Sequence, residues 1–162
     1  SVDGVCLTSV DKGIKKLRFD VIEETISRTN IKAIKKGSVV NLERSIKAST
    51  EIGGHLMSGH IHCTGKIKKI LNKNSTKDII VEFPKKFKEY IFEKGYIGLN
   101  GCSLTLGKVN KASFYLHLIP ETLVVTNLDK LKVGSLVNIE IDQNTISVVE
   151  TVKNTLAAQK SR

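Results

Sequence analysis

Hydrophobic and polar positions alternate along several short stretches of this chain, with the two-residue period of a strand that buries one face. Phe114–Leu118 runs Phe, Tyr, Leu, His, Leu, and Leu136–Ile141 runs Leu, Val, Asn, Ile, Glu, Ile. Ile79–Phe83 and Ile97–Leu99 are further apolar runs of strand length, set between turns rich in Gly, Asn and Lys. About six such strands in under 100 residues predict a small closed barrel, the arrangement that removes sheet edges. One helical insert is predicted over Pro84–Glu93, where Pro opens the segment and Phe87, Tyr90 and Ile91 share a face. After Asp142 the period changes. Val148, Val149, Val152 and Leu156 follow helical spacing, with Ser147 as a cap and Glu150 in its first turn. An apolar stripe beyond the last strand predicts a helix over 145–162 that is buried on something, and its place at the chain end favours another subunit over its own barrel.

The same patterns recur. Residues 1–47 align without a gap to residues 98–144, an offset of 97. Asp3-Gly4-Val5-Cys6-Leu7-Thr8 lies over Asn100-Gly101-Cys102-Ser103-Leu104-Thr105, and Thr29-Asn30 lies over Thr126-Asn127. Lys36-Gly37-Ser38-Val39-Val40-Asn41-Leu42-Glu43 lies over Val133-Gly134-Ser135-Leu136-Val137-Asn138-Ile139-Glu140. A match that keeps Gly, Thr, Asn and Glu in place, beyond apolar pattern alone, indicates duplication of a structural unit of about 97 residues. The expected organisation is the second half of one barrel over 1–47, a whole barrel over 48–144 and the helix over 145–162. Roughly half a unit is then expected ahead of Ser1, and the first residue not being Met agrees with that; the 162-residue chain alone is expected to be inactive or unstable.

Composition narrows the class. Apolar residues make up 40% of the chain and the mean hydropathy is −0.07, with no apolar run near the roughly 18 residues of a membrane span, so a cytoplasmic globular protein is expected. Cys6, Cys63 and Cys102 are an odd set without paired spacing, which argues against a disulfide framework. A net charge of +10 raises the question of nucleic acid. Arg, whose planar fork reads phosphates and bases, occurs only at positions 18, 28, 44 and 162. Lys pairs such as Lys68-Lys69 and Lys85-Lys86 are scattered and carry no interleaved aromatic platforms. A solvated lysine-rich surface accounts for the charge better.

Three groups of residues could carry chemistry. Cys6 and Ser103 occupy equivalent positions of the two copies, each two residues before a threonine, Thr8 or Thr105. Either they form an asymmetric thiol and hydroxyl pair in two related pockets, or both are small residues tolerated beside a tight turn; the residues alone weigh these evenly. Gly53 to Cys63 holds His55, His60 and His62 among glycines. No second closely spaced ligand pair accompanies them, which disfavours zinc, and a histidine that contacts substrate or moves protons is the better reading. Glu43 and Glu140 are duplicated and read as structural, whereas Asp142 lies over Ser45 and, by breaking the symmetry, is the stronger candidate for a functional role.

The string Gly53 to Ile61, the two Gly-containing turns ending in Leu-Thr, Glu93-Lys94-Gly95-Tyr96-Ile97-Gly98 and His117-Leu118-Ile119-Pro120-Glu121-Thr122-Leu123 together resemble riboflavin synthase, from Ser1 to the C-terminal helix. The resemblance implies an all-β fold of two homologous six-stranded Greek-key barrels, the first incomplete here, plus a C-terminal α-helix that joins a homotrimer, with active sites between subunits. It implies dismutation of two 6,7-dimethyl-8-ribityllumazine molecules into riboflavin and 5-amino-6-ribitylaminouracil, with no metal or redox cofactor. By motif it makes Cys6 and Ser103 contacts to the reacting rings and His60 with Thr105 proton-handling groups, while Asp142 would orient Ser103 or the neighbouring ring. The first pocket would be lined by Cys6, Leu7 and Thr8 with Asp20, Val21, Ile22, Glu23, Glu24 and Thr25. The second would be lined by Ser103, Leu104 and Thr105 with Ile119, Pro120, Glu121, Thr122, Leu123 and Val124. Gly59, His60, Ile61 and Lys94 would reach across the interface. Two rivals stand beside this reading: a non-catalytic lumazine- or flavin-binding relative, and a basic β-barrel nucleic-acid binder.

Overall fold

The computed structural model of the protein describes residues 1–13 and 15–161; Ile14 and Arg162, which fall inside the predicted segments 1–47 and 145–162, lie outside the described residues. The first copy contributes a two-stranded antiparallel sheet, β1 (Ser9–Lys12) and β2 (Leu17–Phe19), then helix α1 (Glu23–Arg28) and a 3₁₀ turn over Asn30–Ala33. The second begins with β3 (Cys63–Lys73), β4 (Thr76–Glu82), β5 (Tyr96–Leu99), β6 (Cys102–Thr105) and β7 (Ser113–Leu118). Helix α2 (Pro120–Val125), a 3₁₀ turn over Asn127–Lys130, β8 (Leu136–Ile141) and the long helix α3 (Gln143–Lys160) complete it. Strands β3 to β8 form one antiparallel sheet in the order β6-β5-β8-β3-β4-β7. Its ends approach each other: just past β6, the Gly107 N–H donates to the Tyr115 carbonyl of β7, and the Tyr115 N–H donates to the Lys108 carbonyl.

Inward positions of this sheet make the core. Ile67, Ile79, Val81, Leu99, Phe114, Leu116, Val137 and Ile139 pack with Leu106 and Leu128 and are almost wholly excluded from solvent. Each such side chain contributes about 1.5–3 kcal/mol of burial free energy to the packing of the sheet.

Two sequence expectations change, and one strand was not foreseen. The predicted insert over Pro84–Glu93 is a six-residue 3₁₀ segment, Lys85–Tyr90, with Pro84 as its N-cap. Helix α3 begins at Gln143 rather than after 145, because Asp142 and not Ser147 is its cap: the Asp142 carboxylate accepts from the Thr145 N–H at 2.9 Å and the Thr145 hydroxyl at 2.8 Å. Finally, β3 is the longest strand of the chain yet reads as a lysine-rich stretch. A bulge between Ile67 and Lys69 breaks its alternation and leaves Lys66, Lys68 and Lys69 exposed.

The duplication is written into the backbone. Helices α1 and α2 are 97 residues apart at both ends, and their N-cap residues, Ile22 and Ile119, share φ −81° and ψ 160°. Asp3 and Asn100 sit at φ 46° and 47°, followed by Gly4 and Gly101 at 78° and 81°. These two turns lie against each other, so that a Cβ on Gly4 would stand 2.5 Å from the Gly101 nitrogen. Around them a buried amide cluster ties the copies together through matched pairs of bonds. Asn41 N donates to Asp3 Oδ1 and Asn138 N to Asn100 Oδ1, both at 2.8 Å. Asn30 N donates to Asn138 Oδ1 and Asn127 N to Asn41 Oδ1, both at 2.7 Å. Asn138 Nδ2 donates to the Asp3 carbonyl and Asn41 Nδ2 to the Asn100 carbonyl, both at 2.9 Å.

Candidate functional site

Near where the two turns meet, residues that follow each of them line a shared groove of about 900 Å³. Its lining includes Cys6 and Leu7 from the first copy, Ser103 from the second, and the connecting segment Thr50–Gly59. The two positions singled out as equivalent thus face one cleft. Cys6 is exposed and Ser103 half-buried, so neither is a core residue.

The connecting segment is pinned from below. Glu140, on β8 and 5% exposed, accepts from the Ser58 N–H at 2.6 Å, the Ser58 hydroxyl at 3.0 Å and the Gly59 N–H at 3.1 and 3.2 Å. The Ser58 oxygen lies 3.2 Å from His60 Nδ1, and the Gly59 carbonyl accepts from the Cys6 N–H at 2.9 Å. Gly59 has φ +78°, and a Cβ there would come within 2.7 Å of Cys6 Cβ, which restricts the position to glycine. His60 follows directly on the glycine that meets Cys6, and is itself exposed.

Ser103 has a different partner from the one expected. Asp142 makes no hydrogen bond to it and is spent on capping α3. His55 takes that place, its backbone N–H donating to Ser103 Oγ at 3.1 Å and its Nδ1 lying 2.6 Å from the same oxygen. With the backbone donor already on Oγ, the hydroxyl proton is free to point at Nδ1, the arrangement of a hydroxyl held by an imidazole base. Burial pushes the His55 pKa below that of free histidine, with Asp142 and Glu140 pulling partly the other way, which keeps the ring neutral. The ring stacks on Tyr96 at 5.3 Å, and Nε2 has no hydrogen-bond partner among the described residues. His62, in contrast, is structural: its Nδ1 accepts from the Ile141 N–H at 3.1 Å. Burial also raises the thiols of Cys63, to about 12, and Cys102, to about 11, and so makes both poor nucleophiles at neutral pH.

The remaining predicted residues lie away from this groove. Asp20 to Thr25 lead into and open α1, with Ile22 68% exposed and Glu24 paired to Arg28 at 3.0 Å. Ile119 to Val124 do the same at α2, with Ile119 58% and Val124 81% exposed, while Leu123 packs on the core. Thr8, Thr105 and Lys94 are exposed outside the groove lining, Ile61 is half-buried behind it, and Leu104 packs on the core. The structure brings together Cys6, Leu7, Gly59 and Ser103 in the groove lining, holds His60 against Ser58 outside that lining, and leaves the two helix-opening segments as separate exposed surfaces. Sequence reading named His55 only as one of three histidines in a glycine-rich string, without linking it to Ser103, and read Glu140 as structural without a partner. His55 stands in the glycine-rich string that supplied His60, and a second titratable side chain beside Gly54 was the available signal; Glu140 was set aside because its duplicate, Glu43, suggested a structural role.

A profile described as the lumazine binding domain matches residues 1–45 and 58–142. The riboflavin synthase of Escherichia coli (strain K12) is 46% identical over 160 residues, an alignment that covers 98% of this chain and 75% of that protein. The chain belongs to the riboflavin synthase family. A second member, from Chlamydia pneumoniae, is 43% identical over 98% of the chain and 77% of its own length. Among solved structures, LumP complexed with riboflavin superposes with a TM-score of 0.80 at 26% identity, covering 86% of this chain and 76% of LumP. Its complex with 6,7-dimethyl-8-(1'-D-ribityl) lumazine gives 0.78. Riboflavin synthases and a lumazine- and flavin-binding protein thus share this antiparallel fold, and no helix among the described residues is long and apolar enough to cross a membrane.

Proposed function

We propose that this chain is a riboflavin synthase that dismutates two molecules of 6,7-dimethyl-8-ribityllumazine to riboflavin and 5-amino-6-ribitylaminouracil, the last step of riboflavin biosynthesis. The observation that carries the proposal is the groove lined by both Cys6 and Ser103, at equivalent positions of a duplicated unit, in a chain 46% identical to an enzyme of that name. The substrate's ring methyl group is already acidic. Holding two rings face to face supplies about 7–11 kcal/mol of the barrier. Proton transfer by placed side chains adds roughly 10²–10⁴-fold. In this reading Cys6 and Ser103 contact the reacting rings, His55 activates the Ser103 hydroxyl, and His60 with Thr105 handles protons. The helix-opening segments 20–25 and 119–124 bind the ribityl chains and ring edges, and Lys94 and Ile61 approach the neighbouring subunit. The units are 1–47, 48–144 and 145–162.

The exposed stripe of Val148, Val152 and Leu156, each at least half accessible, supports α3 as the contact of a cytoplasmic homotrimer. The competing reading, a binder without turnover, draws on the likeness to LumP. One experiment separates them. Full-length protein mixed with the lumazine is expected to develop riboflavin fluorescence, and a Ser103→Ala, His60→Ala double variant is expected to lose it while still binding the lumazine. Tight lumazine binding without any riboflavin formed by the unaltered protein would establish the binder instead.

A further inference from the structure

Which nitrogen of His60 carries the proton is decided by the groups beneath the ring. Glu140 is buried, and as a carboxylate it can only accept hydrogen bonds. Its Oε1 takes the Ser58 N–H at 2.6 Å and the Ser58 hydroxyl proton at 3.0 Å. A hydroxyl has one proton to give. With that proton committed to Glu140, the Ser58 oxygen can meet His60 Nδ1 at 3.2 Å only by accepting from it.

The geometry points to Glu140 as the positioning residue of His60: through Ser58 it holds the proton of the neutral imidazole on Nδ1 and leaves Nε2 as the open lone pair. The same carboxylate takes the Gly59 N–H, and the Gly59 carbonyl takes the Cys6 N–H, so one buried group holds both the tautomer of His60 and the backbone that meets Cys6. Glu43, 97 residues earlier, is exposed and makes no such contact with the connecting segment, which is why the duplication conceals the role.

The relay rests on the hydrogen bonds alone, whereas its value to catalysis rests on His60 handling protons, and the test separates the two. Nitrogen-resolved NMR of the chain's four histidines, with His60 assigned from a His60→Gln variant, reads the tautomer directly. In the unaltered protein the neutral His60 ring is expected to show Nδ1 protonated and Nε2 bare. Glu140→Ala frees the Ser58 hydroxyl to donate to Nδ1, and Ser58→Ala removes the relay while keeping the backbone bond to Glu140; both are expected to shift the proton to Nε2, the form a free imidazole prefers. Glu140→Gln, whose amide oxygen still accepts from Ser58, is expected to keep it on Nδ1. If Glu140→Ala does not fold, Ser58→Ala carries the test. An Nε2-protonated ring in the unaltered protein, or an Nδ1 proton that persists in Ser58→Ala, would overturn the relay. With the tautomer shifted, kcat is expected to fall about tenfold at a KM within about twofold. Unchanged kcat beside a shifted tautomer would leave the relay standing and remove His60 from the proposed mechanism.

Discussion

The two copies share turn and helix-cap backbone conformations but differ in chemistry, and the contrast is sharpest at two positions three residues apart. Asp3 and Asn100 share the same left-handed conformation, yet one is an acid and the other an amide. Cys6 and Ser103 share a groove, yet among the described residues Cys6 is anchored through its backbone to Gly59, while Ser103 Oγ is held by both the backbone and the ring of His55. A duplicated frame thus supplies geometry in pairs, and single substitutions within it assign different tasks to the two walls. Two identical substrate molecules with opposite fates, one donor and one acceptor, require that kind of asymmetry.

The frame itself should be the easiest part to break. Gly4→Ala sets a Cβ 2.5 Å from Gly101 N at a φ of +78°, and Gly101→Ala sets one 2.8 Å from Gly4 N at +81°. Each is expected to cost about 3–5 kcal/mol in denaturant unfolding, and similar losses from the two would show that the frame is symmetric. The walls come next. Ser103→Ala is expected to lower kcat about 10²-fold, and Cys6→Ser less than tenfold, in steady-state assays of riboflavin formation. Equal losses would erase the proposed difference between the copies. Asp142→Ala, which removes a cap, is expected to cost about 1 kcal/mol in thermal unfolding and to change kcat less than Ser103→Ala does.

The smallest effect is on pH dependence. Burial depresses the pKa of His55 and His62 below the ordinary 6.5, so the unfolded chain binds more protons than the native one between those values. Stability is then fully present above pH 6.5 and is lost progressively as the pH falls below it, and His55→Gln should reduce the slope. Asp3 acts in the opposite sense and at lower pH. Burial raises its carboxyl above 3.8 against three hydrogen bonds, so the stabilisation is present below 3.8 and is lost as the pH rises through the higher native value. Urea midpoints measured from pH 3 to 8 check both.

Sequence reading recovered what residue type dictates locally. Gly4, Gly37, Gly101 and Gly134 all adopt positive φ, a demand few other residues meet, so the repeat stood out at these places. Strands β4, β5, β7 and β8 were legible because one face of each is buried in the core. β3 was not, since its bulge breaks the two-residue period and lysine fills the solvent side. The six-residue helices α1 and α2 are too short to show a helical period. At the site, Cys6, Ser103 and His60 were visible by position within motifs. The pairing of Ser103 with His55 instead of Asp142 was hidden, because it depends on a loop of the second copy folding over the turn that joins β5 to β6. The alternation of β8 set Glu140 on the face opposite Val137, Ile139 and Ile141, and could not reveal that its buried carboxylate meets Ser58.

The most direct test of the account is the stoichiometry of the reaction of full-length protein with 6,7-dimethyl-8-ribityllumazine, followed by chromatography of all three heterocycles. Dismutation across the groove predicts two lumazines consumed for each riboflavin and each 5-amino-6-ribitylaminouracil formed. Riboflavin appearing one for one with lumazine lost, or lumazine bound and returned unchanged, would contradict it.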